Sequence, residues 1–413
     1  MDGRIKAGVA VAIVAIAAIA GYNKISEKLK KDPVITGLQA EFVGEVAPGG
    51  KLTKNMFQVK GITESGQLVP IRDFSSETTQ AAANGDSCEI ELTSQGYTAT
   101  TIVPITRETV FTQKIGYPNE EDATVTCYSN GDLEFTGNGD ITNFSSTLPW
   151  SKCEYTHVYI DEALNIENMD GWFAGNEYLV YCSDLPKTVK TIRNTFRNCY
   201  SLEKTPDYFQ CSNLKIMDYA FSGCSSLKEI DIIPVNVASM RYTFENCAAL
   251  QTPANLSKTS NLTDVSGMHK GCSGLREAAD IPETVTAMDE CYLGCLNIKK
   301  AVKFPSNVQS IASAYQGDTA LETGATIPES VIDFTNVYNG CSALTGTLEI
   351  NTDTDAFSGA LLGATTNGDK LSISGNCGNL LAIQKNSGNG SITLADPEAA
   401  AQQNERMIRE QEG

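Results

Sequence analysis

Three segments of the chain share one pattern of residues: VKTIRNTFRNCYSL (189–202), LKIMDYAFSGCSSL (214–227) and VASMRYTFENCAAL (237–250). Each has two apolar residues three positions apart, an aromatic residue four positions later, then Asn or Gly, Cys and a final Leu. The pattern occurs eight times, at intervals of 23 or 25 residues. Its Cys position holds, in chain order, Asn176, Cys199, Cys224, Cys247, Cys272, Cys295, Asp318 and Cys341. Because a unit this short cannot close a core of its own, we expect the units to stack as the coils of a solenoid.

The aromatic position, three residues before the Cys position, keeps the same register. It holds Phe173, Phe196, Phe221, Phe244, His269, Tyr292, Tyr315 and Tyr338. Equivalent residues of successive coils should therefore lie on one another in continuous aromatic, cysteine and leucine columns, and the period is in the range of leucine-rich repeats. His269 and Asp318 depart from their columns, and each would need a hydrogen-bond partner if buried.

The segments that follow each Leu suggest short strands. Residues 229–234 and 301–305 are rich in apolar and β-branched residues and end in proline, which favours a strand. At about 4.8 Å between strands, eight coils would form a sheet roughly 40 Å long. Its exposed side chains would form an array, whose basic members are the candidate ligand face: Lys204, Lys228, Arg276, Lys299, Lys300 and Lys303. A solvated surface of mixed charge is the simpler interpretation of the same residues.

The composition limits the partners that the chain can have. Of its 413 residues, 41% are hydrophobic and 20% are charged, as is ordinary for a globular protein. The formal net charge is −19. Since binding to phosphates requires clustered Lys and Arg, this charge argues against nucleic acid as a partner.

The chain has 13 cysteines, and six of them occupy the repeat column. We interpret these six as small buried hydrophobic residues. No CxxC motif is followed by a matching second one, so no zinc site is expected. Cys127 and Cys153 could pair outside the column, and the sequence leaves this open. So many unpaired thiols suit a reducing or anaerobic setting better than an oxidising one.

Residues 7–22, AGVAVAIVAIAAIAGY, form the longest uncharged apolar stretch. As a helix with a rise of about 1.5 Å per residue, this stretch would be about 24 Å long, which is less than the roughly 30 Å of a hydrocarbon core. Three interpretations remain open: a signal anchor in the membrane, a cleaved signal peptide, and a helix that packs in a protein assembly. The flanking charges do not settle an orientation in the membrane.

The sequence before the repeats divides into three regions. Residues 1–33 comprise the apolar helix and a charged linker. Residues 34–115 alternate polar and apolar residues between Gly-containing turns, which predicts a small β-sandwich. Its segments GLQAEFVGEVAPGGKLTKNMFQVKGI and CEIELTSQGYTATTIVPI resemble bacterial immunoglobulin-like domains. Residues 116–165, with a hairpin turn at Asn130 and Gly131, should cap the solenoid.

The remaining regions contain the repeats and the end of the chain. Residues 166–345 hold the eight repeats, and 346–395 hold degenerate repeats and a C-terminal cap. Residues 396–413 form a polar tail, in which Asp396 is a plausible N-cap and Pro397 suits the first helical position. This tail is therefore predicted to form a short helix.

The repeats resemble those of BspA-like leucine-rich-repeat surface proteins of bacteria. The resemblance is carried by FSGCSSLKEIDIIP (221–234), PSNVQSIASAYQGDTAL (305–321) and IPESVIDFTNVYNGCSAL (327–344). Residues 123–150, which end in Pro-Trp, are similar to the strand-turn-strand segment that often precedes such repeats. The resemblance covers about 123–394 and implies a solenoid displayed on a cell surface.

Motifs for catalysis or metal binding are not found. The two histidines, His157 and His269, have no nucleophile or metal ligand at a recognisable spacing. Residues 351–355 begin like a calcium loop, but Gly is missing from the sixth position and the twelfth is Leu362. No phosphate-binding loop, dinucleotide fingerprint or GxSxG motif occurs. We therefore expect no enzymatic activity, no cofactor and no metal.

The sequence thus predicts a mainly β protein: an N-terminal apolar helix, a small immunoglobulin-like β-sandwich, and a leucine-rich-repeat solenoid of about eight 23–25-residue coils with a β-hairpin cap. The first functional hypothesis is a cell-surface protein, anchored in the membrane through residues 7–22, that binds proteins or glycans of a host or neighbouring cell. The alternative is a structural subunit of an appendage, filament or phage-like particle that self-assembles through the same helix. In that case the protein would be secreted or particle-associated.

Overall fold

The computed structural model describes Val14–Ala15 and residues 34–82, 87–144, 147–365, 371–388 and 392–412. The chain divides into two compact units. The first comprises Met1–Phe111 and Cys127–Asp132, and the second comprises Thr112–Thr126 and Leu133–Gly413.

The first unit contains two antiparallel sheets. One has the order β1-β2-β3-β4, with the strands Val14–Ala15, Gly37–Phe42, Phe57–Ile62 and Leu68–Ile71. The other pairs β5 (Ser87–Ser94) with β6 (Tyr97–Pro104). A short 3-10 helix, Lys54–Met56, precedes β3. Alternate residues of both sheets, including Leu38, Val59 and Ile90, enter one apolar core, as in a small β-sandwich. The immunoglobulin-like class of this unit stays a prediction.

The apolar helix expected over residues 7–22 is not supported. Val14–Ala15 form a strand that pairs antiparallel with Gly37 and Leu38, so these two residues satisfy backbone groups of a sheet edge. The other residues of this stretch lie outside the described part of the chain. Among the described residues, no helix combines the length and the apolar character needed to cross a bilayer.

A five-stranded sheet, whose last strand in the chain belongs to the first repeat, has the order β13-β11-β9-β8-β7. Its strands are β7 (Thr109–Lys114), β8 (Ala123–Tyr128), β9 (Asp132–Gly137), β11 (His157–Ile160) and β13 (Tyr181–Cys182). Two shorter strands, β10 (Gly139–Asp140) and β12 (Leu164–Asn165), pair in parallel. Glu120–Asp122 and Pro149–Lys152 are 3-10 helices. The buried Trp150 donates its indole N–H to the carbonyl oxygen of Trp172 at 3.1 Å, which closes the first coil of the solenoid.

The coils are joined by one continuous line of parallel bridges, eight residues before each Cys position. The bridged residues are Asn168, Thr191, Ile216, Ser239, Asp264, Ala287, Ser310 and Asp333. Backbone N–H groups next to this line donate from coil to coil, for example Met217 to the carbonyl oxygen of Ser239 at 3.0 Å. The line lies between the two apolar columns of the pattern.

The expectation of a strand after each Leu holds only in the first and the last repeat, where β13 follows Leu179 and a strand over Gly346–Glu349 follows Leu344. In the segments between, the described residues form only isolated bridges, between Lys204 and Glu229, between Lys300 and Thr323, and between Ile327 and Ile350. The reason is the length of the coils. The two extra residues of a 25-residue coil fall between the Leu and the next apolar column, whereas the segment from that column to the Leu has constant length. Regular pairing requires equal lengths, so the ladder forms where the length is constant.

The pattern continues for one turn beyond the eight expected. Phe357 stacks on Phe334 with ring centroids 6.1 Å apart, and Leu361 and Ala364 are buried in the next column positions. The chain then forms a parallel sheet of β14 (Gly346–Glu349), β15 (Leu371–Ser374) and β16 (Ile392–Leu394), with helix α1 (Leu380–Asn386) between the last two strands. Helix α2 spans Pro397–Glu412, and the Asp396 carboxylate accepts from the N–H of Ala399 at 2.9 Å.

Candidate ligand-binding site

The aromatic column is a stack of buried rings inside the solenoid. Neighbouring rings from Phe196 to Tyr338 lie 5.2–5.8 Å apart and within 20° of parallel. The rings shield the centre of the solenoid from water and fix the spacing of the coils. Each exposed side chain is therefore held at a set distance from its equivalent in the next coil.

The cysteine column contains hydrogen-bond donors as well as small side chains. The thiol of each ladder cysteine donates to the carbonyl oxygen of the aromatic residue in the preceding coil, at 3.0–3.3 Å. Burial raises the pKa of the Cys224 and Cys272 thiols to about 12, so they stay protonated. None of the ladder cysteines forms a disulfide within the part of the chain that is described. Each of these carbonyl oxygens also accepts a backbone N–H from its own coil, for example Phe196 from Cys199 at 3.1 Å, so the thiol is a second donor that links one coil to the next.

His269 replaces a tyrosine in the aromatic column and has a similar role. Its Nε2 accepts from the backbone N–H of Ala254 at 3.3 Å, as the Tyr292 hydroxyl accepts from that of Ala279 at 3.0 Å. Burial lowers the pKa of His269 to about 3, so the ring is neutral. The four phenylalanines earlier in the column cannot accept such a bond.

Asp318 takes the place of a cysteine. It is fully buried, and burial raises the pKa of its carboxyl to about 9. The group is therefore protonated at neutral pH and resembles the thiols of the column as a neutral side chain with one hydrogen to donate.

Three of the six candidate ligand residues lie together. Lys228, Arg276 and Lys299 line a shallow depression of about 810 Å³, within the range of roughly 300–1,000 Å³ that is typical of ligand sites. These residues belong to the row four positions after the Cys column, which reads Glu203, Lys228, Gln251, Arg276, Lys299 and Glu322. The other residues that line the depression are Ala248, Ala249, Gln251, Gly274 and Asn297.

The residues at both ends of this row form ion pairs. Lys228 lies 2.9 Å from Glu203, and Lys299 lies 3.2 Å from Glu322. Within the described ranges, no carboxylate lies within ion-pair distance of the Arg276 guanidinium. The depression thus has a cation without an opposing charge at its centre.

The other three candidates lie outside the depression. Lys204 and Lys300 are one position further along their coils, where the backbone bridges to the next coil. Lys303 pairs with Glu283 at 2.8 Å. This hydrogen bond, with further ones from Ser306, lowers the pKa of Glu283 to about 2. The six residues are therefore not one surface.

A second surface feature was missed by the sequence analysis. Tyr219 and Tyr242 have left-handed backbones, with φ of 56° and 51°, at a position that Gly or Asn fills in four of the eight repeats. Their rings stack in parallel 5.0 Å apart. Arg197 lies over the outer face of this pair, and the Lys270 ammonium lies 5.6 Å from the Tyr242 ring. The strained backbone of these two tyrosines is seen only in the structure, because the sequence does not show that φ is positive there.

Metal ligands are not brought together. In the part of the chain that the structure describes, no three His, Cys, Asp or Glu side chains form a group that could hold a metal ion.

The repeats match a known family model. Six copies of the BspA type leucine rich repeat region match residues 150–276 and 189–322. Residues 150–322 are therefore leucine-rich repeats of the BspA type. The matched residues include the row from Glu203 to Glu322, whose middle residues line the depression, and both residues that depart from the columns, His269 and Asp318.

Several solved structures are similar to this BspA-type chain. A leucine-rich repeat protein from Eubacterium ventriosum is 14% identical, with a TM-score of 0.31, and the match covers 64% of this chain and 85% of that one. A leucine rich cell surface protein from Faecalibacterium prausnitzii is 15% identical, with a TM-score of 0.25 and coverage of 68% and 94%. A leucine rich repeat protein of T. pallidum is 14% identical, with a TM-score of 0.27 and coverage of 60% and 90%. No curated protein matches the sequence.

Proposed function

We propose that this chain is a non-enzymatic bacterial surface protein that binds protein or glycan ligands through its BspA-type solenoid. The observation that carries the proposal is the basic depression lined by Lys228, Arg276 and Lys299 on the stacked coils. In a chain with a net charge of −19, a local cluster of cations is an exception. It would attract an anionic part of a ligand.

The rigidity of the coils supports a binding role. The row of side chains is held by backbone hydrogen bonds such as that from Lys228 N–H to the Glu203 carbonyl oxygen, at 2.8 Å. At about 4.8 Å per coil, the four residues from Lys228 to Lys299 span roughly 15 Å. A preorganised surface of this length loses little entropy when a ligand binds.

The location of the two buried side chains with shifted pKa values supports a role without catalysis. Asp318 and His269 have strongly shifted pKa values, but both side chains are fully buried. A general acid or base must reach the substrate. The depression itself presents two lysines, one arginine and two amides, and its lining residues include no carboxylate or imidazole.

Display on the cell surface is part of the same proposal, but a membrane anchor in residues 7–22 is not, because Val14–Ala15 pair with a strand of the first unit. Surface display is supported by the similarity of the repeats to surface proteins of this family. The alternative, assembly into a particle or filament through residues 7–22, has no specific observation in its favour among the described residues.

The experiment combines surface exposure with binding. Intact source cells are treated with a protease, and released peptides are mapped to the chain. We expect peptides from the solenoid in the released fraction. Purified full-length protein is then screened against arrays of host and bacterial proteins and glycans. The triple variant Lys228→Ala, Arg276→Ala, Lys299→Ala should lose the binding, whereas the control Lys204→Ala, Lys300→Ala should keep it. Absence of solenoid peptides, or equal binding by the triple variant, would contradict the proposal.

A further inference from the structure

We propose that the depression around Arg276 binds a carboxylate of an acidic saccharide. This inference rests on the proposed function and names the ligand class of its site. It is carried by three features of the depression: its small floor residues, its unpaired central cation, and backbone groups that are already hydrogen-bonded.

The floor is formed by small residues of two neighbouring coils, Ala248, Ala249 and Gly274. The two positions after the Cys column hold Ala248 and Ala249 in one coil, and Ser273 and Gly274 in the next. The coil beyond has Leu296 and Asn297 at these positions, so the floor ends in larger side chains. A Cβ atom on Gly274 would lie 2.5 Å from the carbonyl oxygen of Ala248, so this position cannot carry a side chain without moving the coils apart. The absence of a side chain at Gly274 therefore leaves the floor of the depression open at this position.

The charges favour a single carboxylate at the centre. Lys228 and Lys299 are each engaged by a glutamate at the ends of the row, at 2.9 and 3.2 Å. Arg276 has no such partner among the described residues, and its guanidinium offers paired N–H donors in the geometry of a carboxylate. Lys299, one coil away, can approach the same anion from the side.

The hydrogen-bonding groups favour a saccharide over an extended peptide. Several backbone N–H groups at the depression are already used between coils: those of Lys228 and Arg276 donate to the carbonyl oxygens of Glu203 and Gln251 at 2.8 and 3.3 Å, and that of Ala249 to Ser225 at 3.2 Å. These bonds disfavour the addition of a peptide to this surface as a further strand. The floor has only two methyl groups, which would bury little of an apolar peptide side chain.

The amide side chains complete the site for a hydroxyl-rich ligand. The Asn297 amide nitrogen donates to the Ser273 carbonyl oxygen at 2.6 Å, which orients the amide and leaves its own oxygen to accept from a hydroxyl group. The Gln251 amide, next to Arg276 in the row, can both donate and accept. Vicinal hydroxyl groups beside a carboxylate match this set.

The test uses the full chain and titration calorimetry with three probes. These are a hexuronic-acid oligosaccharide, the same oligosaccharide with its carboxyl groups reduced to alcohols, and poly-glutamate. We expect binding of the acidic oligosaccharide, and at least about tenfold weaker binding of the reduced form and of poly-glutamate. Raising the salt concentration should weaken the binding.

Variants locate the binding. Arg276→Ala should weaken it about tenfold or more, and Arg276→Lys should restore only part of the loss, because an ammonium group lacks the paired donors. Ala248→Leu fills the floor and should also weaken binding, whereas Lys204→Ala, outside the depression, should not. Circular dichroism establishes that each variant is folded.

Four outcomes would overturn the inference: equal binding of the reduced oligosaccharide, unchanged binding by Arg276→Ala, tighter binding of poly-glutamate, or no binding of the acidic oligosaccharide. In the last case, binding of another ligand on the arrays would leave the proposed function standing. If no array ligand binds either, both proposals fail.

Discussion

Asp318 should make the stability of the solenoid depend on pH in a range where few other groups titrate. Burial raises the pKa of its carboxyl from 3.8 to about 9 in the folded chain. In the unfolded chain the same group loses its proton near pH 4. Between these values the folded state binds one more proton than the unfolded state, so the free energy of unfolding falls as the pH rises.

The size of this effect follows from the proton count. One proton of difference gives a slope of about 1.4 kcal/mol per pH unit, so the chain should lose up to about that amount between pH 7 and 8. Above pH 9 the loss is complete. Cysteine thiols of the unfolded chain add to the slope only near and above their ordinary pKa of about 8.5.

The variant Asp318→Asn removes the titrating group and keeps its shape. Urea unfolding followed by circular dichroism at pH 6.0, 7.0 and 8.0 measures both proteins. We expect the free energy of unfolding of the natural chain to fall relative to that of the variant by about 1.4 kcal/mol per pH unit at most. Asp318→Cys, which restores the column, should also remove this slope below pH 8. If the free energies of unfolding of the natural chain and of Asp318→Asn change with pH in parallel, the inference that Asp318 is protonated in the folded chain is refuted.

Three further predictions concern the columns and the turns. His269→Phe leaves the N–H of Ala254 without an acceptor and should lower the free energy of unfolding by about 1–3 kcal/mol in urea, whereas His269→Tyr should lower it less. The ladder thiols are buried and protonated, so a thiol reagent should modify them only in urea, and the half-buried Cys88 and Cys153 should react first. Gly267→Ala should cost more than the roughly 1–2 kcal/mol of a left-handed alanine, because its Cβ atom would lie 2.2 Å from the Tyr242 ring.

Each of these has a control within the chain. Equal stability of His269→Phe and His269→Tyr would show that the bond to Ala254 does not matter. Rapid modification of the ladder thiols in the native protein would contradict their burial. For the turn, Gly171→Ala is the matched control, since Gly171 is also left-handed, with φ of 73°, and has open space around its Cβ position. If Gly267→Ala lowers the free energy of unfolding by no more than Gly171→Ala does, the Tyr242 ring moves away from the new Cβ atom without destabilising the fold.

The sequence by itself determined the solenoid. Residues that recur every 23 or 25 positions must take equivalent places in successive coils, because each coil contacts only its neighbours. The columns and the departures from them at His269 and Asp318 could be predicted from this periodicity, whereas the family was indicated by the resemblance of the repeats to known ones. For the same reason the Gly or Asn before each cysteine marks a turn, as the left-handed φ of 60° at Asn198 and 81° at Gly223 shows.

The tertiary structure decided where the ladder forms and which surface residues meet. The continuous line of bridges lies before the aromatic column, in the segment of constant length, whereas the segments after the Leu have only scattered bridges and a strand in the first and the last repeat. The hydrogen bonds donated by the cysteine thiols and the depression at Arg276 both depend on contacts between coils. The periodicity of the sequence does not specify the distances between atoms of neighbouring coils. Lys303 was grouped with Arg276 by charge, but folding places it against Glu283. Periodicity thus defines equivalent positions, while the function of a surface depends on which non-equivalent side chains the coils bring together.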